Sequence, residues 1–144
     1  MSAETVRDAM VPEPTTLGAA ASAQEAGRCF ADNGEVRAIF VTEDDGNLLG
    51  VVTRKTLVRE VVAAGREPSG VSLREIAEPP NFTLDAGLEL EGAFRFLEEE
   101  DLERVPVVEE GGRLVGVLSR AVVQRRLAED EPPEGELEPG SVVL

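Results

Sequence analysis

Residues 36–41 and 103–108 read as two versions of one strand, and residues 47–54 and 113–120 as two versions of the strand that follows it. The first pair is offset by 67 residues and the second by 66, so one turn differs by a single residue. Val6-Arg7-Asp8-Ala9-Met10 matches Leu73-Arg74-Glu75-Ile76-Ala77 at the offset of 67, and Thr16-Leu17 matches Thr83-Leu84. An internal repeat limits the fold more than any other feature, because each copy must form the same unit and the two must bury each other's apolar faces. The copies span 5–66 and 71–128, joined by Gly65-Arg66-Glu67-Pro68-Ser69-Gly70. We divide the chain into repeat 1 (1–66), repeat 2 (67–128) and an acidic tail (129–144).

Each copy spells the same order of elements. A short amphipathic helical turn (Val6 to Met10; Leu73 to Ala77) leads to an extended piece ending near Thr16 or Thr83. A helix follows. In the first copy Ser22-Ala23-Gln24-Glu25 has the spacing of a capping box, and Gly34 is placed to stop the helix in a left-handed turn. In the second copy the helix runs from about Glu89 to Asp101, with Leu90, Ala93, Phe94 and Leu97 as its apolar stripe, a poorer cap, and Gly92 inside it. Two hairpins come next: 36–42 with 48–53 around Asp44-Asp45-Gly46-Asn47, and 104–109 with 113–118 around Gly111-Gly112. Each hairpin runs into a closing helix capped by Thr53 or Ser119. The inner faces of these helices are expected to be Leu57, Val58, Val61 and Val62, then Val122, Val123 and Leu127.

Composition removes whole classes of function. The 144 residues include no His, Trp or Tyr and one Cys, Cys29, whose default is packing in the core. Without His there is no Ser-His-Asp or Cys-His system and no imidazole metal site, and one Cys forms no internal disulfide. We expect no enzyme. The net charge of -15 opposes nucleic acid and anionic membrane, where basic patches supply the affinity. The longest apolar runs are four or five residues, against the ~20 that span a bilayer. The expectation is a soluble, cytoplasmic protein. Residues 129–144 carry six acids and no base among several prolines, leaving -9 for the body, and read as a disordered tail. Asp44-Asp45-Gly46-Asn47 lacks the Glu a calcium loop needs and reads as a turn, and Glu98-Glu99-Glu100-Asp101 as a solvated helix end.

Asp8-Ala9-Met10, Thr16, a capped helix, an apolar strand, a turn, Leu49-Gly50-Val51-Val52-Thr53 and a closing helix make an ordered pattern that resembles the CBS domain, named for cystathionine beta-synthase. The second copy carries the closer strand motif, Val105-Pro106-Val107-Val108 followed by Leu114-Val115-Gly116-Val117-Leu118-Ser119. The resemblance covers nearly all of 5–128. It implies an α+β fold in which two β-α-β-β-α CBS repeats pack sheet to sheet about a pseudo-twofold axis, and a homodimer of such pairs. It further implies a regulatory module that needs no cofactor, senses an adenosine-type ligand (AMP, ADP, ATP or S-adenosylmethionine) in two clefts between the copies, and signals through the dimer or a regulated partner protein. The alternative is a structural dimerisation module whose clefts are vestigial.

A hydroxyl-capped helix start gathers unpaired N–H groups and the positive end of the helix dipole at one point, which favours an anion. Those starts are Thr53, followed by Arg54-Lys55, and Ser119, followed by Arg120. The bases are either phosphate ligands or solvated. Arg37 and Arg104 hold matching strand starts and suit bidentate contact with phosphate, or a salt bridge with nearby acids. By resemblance Arg104 matches a base that reaches phosphate, and Thr16 and Thr83 match a cleft Thr, although either also reads as an ordinary strand-end residue. The clefts are expected to borrow backbone from the other copy near Met10-Val11 and Ala77-Glu78. Adenosine-binding copies usually place Asp three residues beyond the cap, for the ribose hydroxyls; here those positions are Thr56 and Val122. The cleft with Thr53, Thr56 and Arg37 is therefore expected to be the better site.

Overall fold

The computed structural model describes residues 4–12, 14–109 and 111–129. The expectations about the tail beyond Glu129 lie outside the described residues. Copy 1 contains α1 (Val6–Ala9), β1 (Val11–Pro12), β2 (Thr16–Gly18), α2 (Ala23–Asp32), β3 (Ile39–Thr42), β4 (Leu48–Val52) and α3 (Arg54–Leu57), which continues as a π-helical turn over Val58–Val62. Copy 2 contains α4 (Leu73–Ile76), β5 (Leu84–Asp85), α5 (Leu90–Glu99), β6 (Arg104–Glu109), β7 (Arg113–Ser119) and α6 (Arg120–Glu129). Within each copy the order β-α-β-β-α is present, in an α+β fold with two sheets.

The sheets have matching topology. In copy 1, β2 pairs parallel with β3, which pairs antiparallel with β4. In copy 2, β5 pairs parallel with β6, which pairs antiparallel with β7. Both hairpins carry an irregularity at equivalent places, Val41/Thr42 and Val107/Val108. Each sheet is completed by the other copy: Val11 pairs with Val117 on β7, and Glu78 bridges Val51 on β4 with hydrogen bonds of 2.8 and 2.9 Å.

The exchange extends to the cores. Val6 and Ala9 of α1 are buried with Leu84, Leu90, Leu97 and Leu118 of copy 2. Leu73 and Ile76 of α4 are buried with Phe30, Ile39, Val41 and Val52 of copy 1. Full burial of such side chains contributes about 1.5–3 kcal/mol each, so the opening helices bind the copies together. Backbone bonds between the copies obey the sequence offset. Val6 donates to Leu88 at 2.9 Å and Leu73 to Ala21 at 2.8 Å. Arg7 donates to Ala86 and Arg74 to Ala19, both at 3.0 Å. The hairpin turns also join, Leu48 to Gly112 at 3.0 Å and Leu114 to Gly46 at 3.1 Å. This is the pseudo-twofold relation written in hydrogen bonds.

The exchange explains the glycine of each strand motif. A Cβ on Gly50 would lie 2.7 Å from the Glu78 carbonyl oxygen, and one on Gly116 would lie 2.8 Å from that of Val11. No side chain fits beneath a crossing segment at that distance.

Three local expectations are corrected. Helix α2 ends at Asp32 with Asn33 as an extended C-cap, and Gly34 is not in the left-handed region. Side chains reach the exposed carbonyls there, so no left-handed turn is needed. Val58 and Val62 point outward, 57% and 71% exposed, because the π-helical winding turns them from the core while Val61 stays buried. Strand β3 begins at Ile39, leaving residues 36–38 outside the ladder, and the registers match Ile39 with Val105 at an offset of 66. The single-residue difference therefore falls between helix and strand rather than in the hairpin turn, and Arg37 is not the counterpart of Arg104. Cys29 is half-buried beside the first core. No helix among the described residues is long and apolar enough to cross a membrane.

Candidate functional site

Among the described residues the sheet exchange leaves a larger and a smaller cleft. The larger, about 540 Å³, is walled by the irregular stretch 33–38, the segment around Val11 and Pro14, and the junction of β7 with α6. Arg37 and Arg104 both line it, with Ser119 and Val122. Val36, Phe40, Val51 and Val117 supply apolar wall, and Asn33 and Glu35 its polar rim. Its size lies within the usual range for small-molecule sites, roughly 300–1,000 Å³.

Arg37 and Arg104 are exposed, and neither guanidinium makes a hydrogen bond or ion pair among the described residues. Arg7, Arg59, Arg66, Arg74 and Arg120 each pair with a carboxylate. In a chain with twice as many acids as bases, two unpaired guanidinium groups on one cleft are a local excess of positive charge. The ten-residue α6 starts at this cleft, adding the positive end of its dipole. The Ser119 hydroxyl caps it by accepting from the Val122 N–H at 3.4 Å.

The smaller cleft, about 280 Å³, contains Thr53, Thr56, Lys55, Arg59, Glu78 and Asn81. Its polar groups are already joined. Thr56 is fully buried; its hydroxyl accepts from the Thr53 N–H at 3.0 Å and donates to Glu78 Oε2 at 2.9 Å. Thr53 Oγ1 accepts from the Thr56 N–H at 3.2 Å, closing the capping box. Arg59 donates to the same Glu78 oxygen at 2.7 Å and to Glu60 at 3.0 Å. The Arg59 hydrogen bond, then that of Thr56, holds the Glu78 carboxyl below the usual carboxylate range.

Several residues chosen from sequence lie elsewhere. Arg37 lines the Ser119 cleft rather than the Thr53 cleft, because residues 36–40 form the wall of the former. Arg54 covers the end of α2, donating to the carbonyls of Val36 at 2.7 Å and Phe30 at 3.1 Å, with its guanidinium 4.7 Å from the Phe30 ring centroid. Arg120 holds the matching end of α5, reaching Glu103 at 2.6 Å, Asp101 at 3.4 Å and the Leu97 carbonyl at 3.5 Å. The Glu103 hydrogen bond raises its pKa. Both arginines act as helix-end clasps. Thr16 pairs with Phe40 on β2 and Thr83 precedes β5; neither lines either cleft, whereas Thr15 and Asn81 do. Sequence reasoning missed Arg59 and the Glu78 side chain. The available signal was a comparison at the repeat offset, where Thr56 and Glu78 answer to Val122 and Val11.

A model of the CBS domain matches residues 6–63 and 73–129. Hypoxic response protein 1 of Mycobacterium tuberculosis is 30% identical over 125 residues, covering 87% of this chain and 86% of that protein. An uncharacterized protein of Methanopyrus kandleri is 27% identical over 113 residues, and this alignment takes in 78% of the present chain and 55% of the relative. Among solved structures, Hypoxic Response Protein I with two coordinated zinc ions superposes with a TM-score of 0.72 at 28% identity, over 88% of this chain and 99% of that one. CBSX2 in complex with AMP superposes with a TM-score of 0.69 at 25% identity, over 88% and 97%. Among the described residues no three or more His, Cys, Asp or Glu gather as a metal site. The exchanged opening helices, the repeated hairpins and the two matched segments make one statement: the chain belongs to the CBS domain family, as a tandem pair.

Proposed function

We propose that this chain is a non-catalytic regulatory sensor that holds a phosphate-bearing adenosine-type ligand in the cleft between Arg37, Arg104 and Ser119. The carrying observation is the pair of unpaired guanidinium groups on one cleft of about 540 Å³. Bidentate guanidinium–phosphate contact is among the strongest polar interactions available to a protein surface. The α6 start favours the same anion. Val36, Phe40, Val51 and Val117 offer a slot for a flat base. Val122 accepts no hydrogen bond from ribose, so Glu35 at the rim takes that part. The likeness to CBSX2, which was solved with AMP, supports the ligand class. Because the cleft is built from both copies, an occupant ties the opening segment of copy 1 to the closing helix of copy 2. That change in rigidity is the signal passed to a second copy or a regulated partner.

Thermal unfolding with AMP, ADP, ATP, S-adenosylmethionine and NAD tests this. A ligand at 100 times its Kd adds about 2.7 kcal/mol, and no shift with any of the five contradicts the proposal. A second reading, an interaction module without a ligand, is favoured by the apolar Val122 and the internally paired Thr53 cleft. A ligand co-purifying with the protein and identified by mass spectrometry counts against it.

A further inference from the structure

We propose that the Thr53 cleft is occupied by the chain itself, with the Glu78 carboxylate held where a small phosphate-bearing anion would otherwise bind. One Glu78 oxygen takes hydrogen bonds from Arg59 at 2.7 Å and from buried Thr56 at 2.9 Å. Those two donors, with the Lys55 ammonium on the same wall, are the groups that would receive an incoming phosphate. Glu78 is brought there by the sheet exchange, its backbone fixed to Val51 by two hydrogen bonds. A free anion must compete with a carboxylate tethered at its site, whose effective concentration is high by construction.

The repeat supplies an internal control. At the equivalent positions of the larger cleft, Glu78 becomes Val11 and Thr56 becomes Val122. Val11 and Val122 both line that cleft, which therefore has neither the tethered acid nor the hydroxyl that steadies it. Its Arg37 and Arg104 remain unpaired among the described residues. One structural unit, used twice, thus gives an open cleft and a latched one. At matching positions the larger lacks the acid, the hydroxyl and the lysine of the smaller, with Val11, Val122 and Ala121 in place of Glu78, Thr56 and Lys55.

The test is the number of ATP molecules bound per chain, measured by equilibrium dialysis on wild type, Glu78→Gln and Glu78→Gln/Arg59→Ala. Glu78 is half exposed, and thermal unfolding checks that the variants fold; Glu78→Ala serves as a second replacement. Either single variant is expected to bind one more ATP than wild type and to show ATP-dependent shifts of the Thr53 and Thr56 amide NMR signals. Adding Arg59→Ala removes the extra site. No added site in either variant, or wild-type ATP shifts at Thr53 and Thr56, overturns the latch. If wild type binds no ATP while Glu78→Gln binds one, the latch stands and the reading of the Arg37 cleft fails instead.

Discussion

The two clefts are built from equivalent strands, turns and helix starts, yet they face a ligand in opposite electrostatic states. In the larger, Arg37 and Arg104 lack partners among the described residues, and the wall around Val11 and Val122 is apolar. In the smaller, Arg59 is neutralised by Glu78 and Glu60, and the Thr56 hydroxyl is fully engaged. Charge count alone does not separate them, since both have bases. What separates them is whether a carboxylate of the same chain reaches those bases first. A duplicated site can therefore diverge without altering its backbone.

The strongest way to break the comparison is to move the latch. Val11→Glu with Val122→Thr places the acid and the hydroxyl in the larger cleft. Titration calorimetry should then show ligand affinity reduced by about tenfold to a hundredfold, the scale of one or two charge-assisted hydrogen bonds. An unchanged affinity would mean that the two clefts differ for some other reason.

A smaller effect comes from the crossings beneath which Gly50 and Gly116 lie. Gly116→Ala or Gly50→Ala drives a Cβ into a backbone oxygen at less than normal contact distance. We expect a loss of about 1–3 kcal/mol in denaturant unfolding for each. Gly50→Ala should also displace Glu78 and raise ATP binding at the Thr53 cleft, which Gly116→Ala should not.

The smallest effect is that of pH. Glu78 has a lowered pKa in the folded chain, held by hydrogen bonds from Arg59 and Thr56 and faced by Lys55, while Glu60 shares Arg59. Its contribution is present above the unfolded carboxylate pKa, about 4.3, and is lost as pH falls through the lower folded value. The stability difference between wild type and Glu78→Gln should be constant from about pH 5.5 to 8 and shrink in stronger acid. A difference that vanishes near neutrality would show that the pair is not formed.

The repeat made the fold legible, because a unit found twice also predicts its own pairing. The capping box at Ser22 and Glu25 forms, and the second-copy helix has the poorer cap that Glu89 foretold. The helix caps Thr53 and Ser119 were also readable, whereas the matching of Arg37 with Arg104 was not, because the ladders make Ile39 the counterpart of Val105 and so Ala38 that of Arg104. Nor was the assignment of these residues to clefts, since it depends on how residues 36–40 lie across the other copy. Arg54 and Arg120 look like anion ligands in one dimension. Only the neighbouring helix ends, at Phe30 and Leu97, show what they hold. The outward turn of Val58 and Val62 has the same origin, as apolar periodicity does not announce a π-helical turn.

The central claim is that one ligand enters the cleft between Arg37 and Arg104. Isothermal titration of AMP and ATP into wild type and into Arg37→Ala/Arg104→Ala addresses it directly. Wild type should bind one molecule per chain, and the double variant should lose at least about a hundredfold in affinity while keeping its unfolding temperature. Equal affinity in the two proteins would contradict the claim.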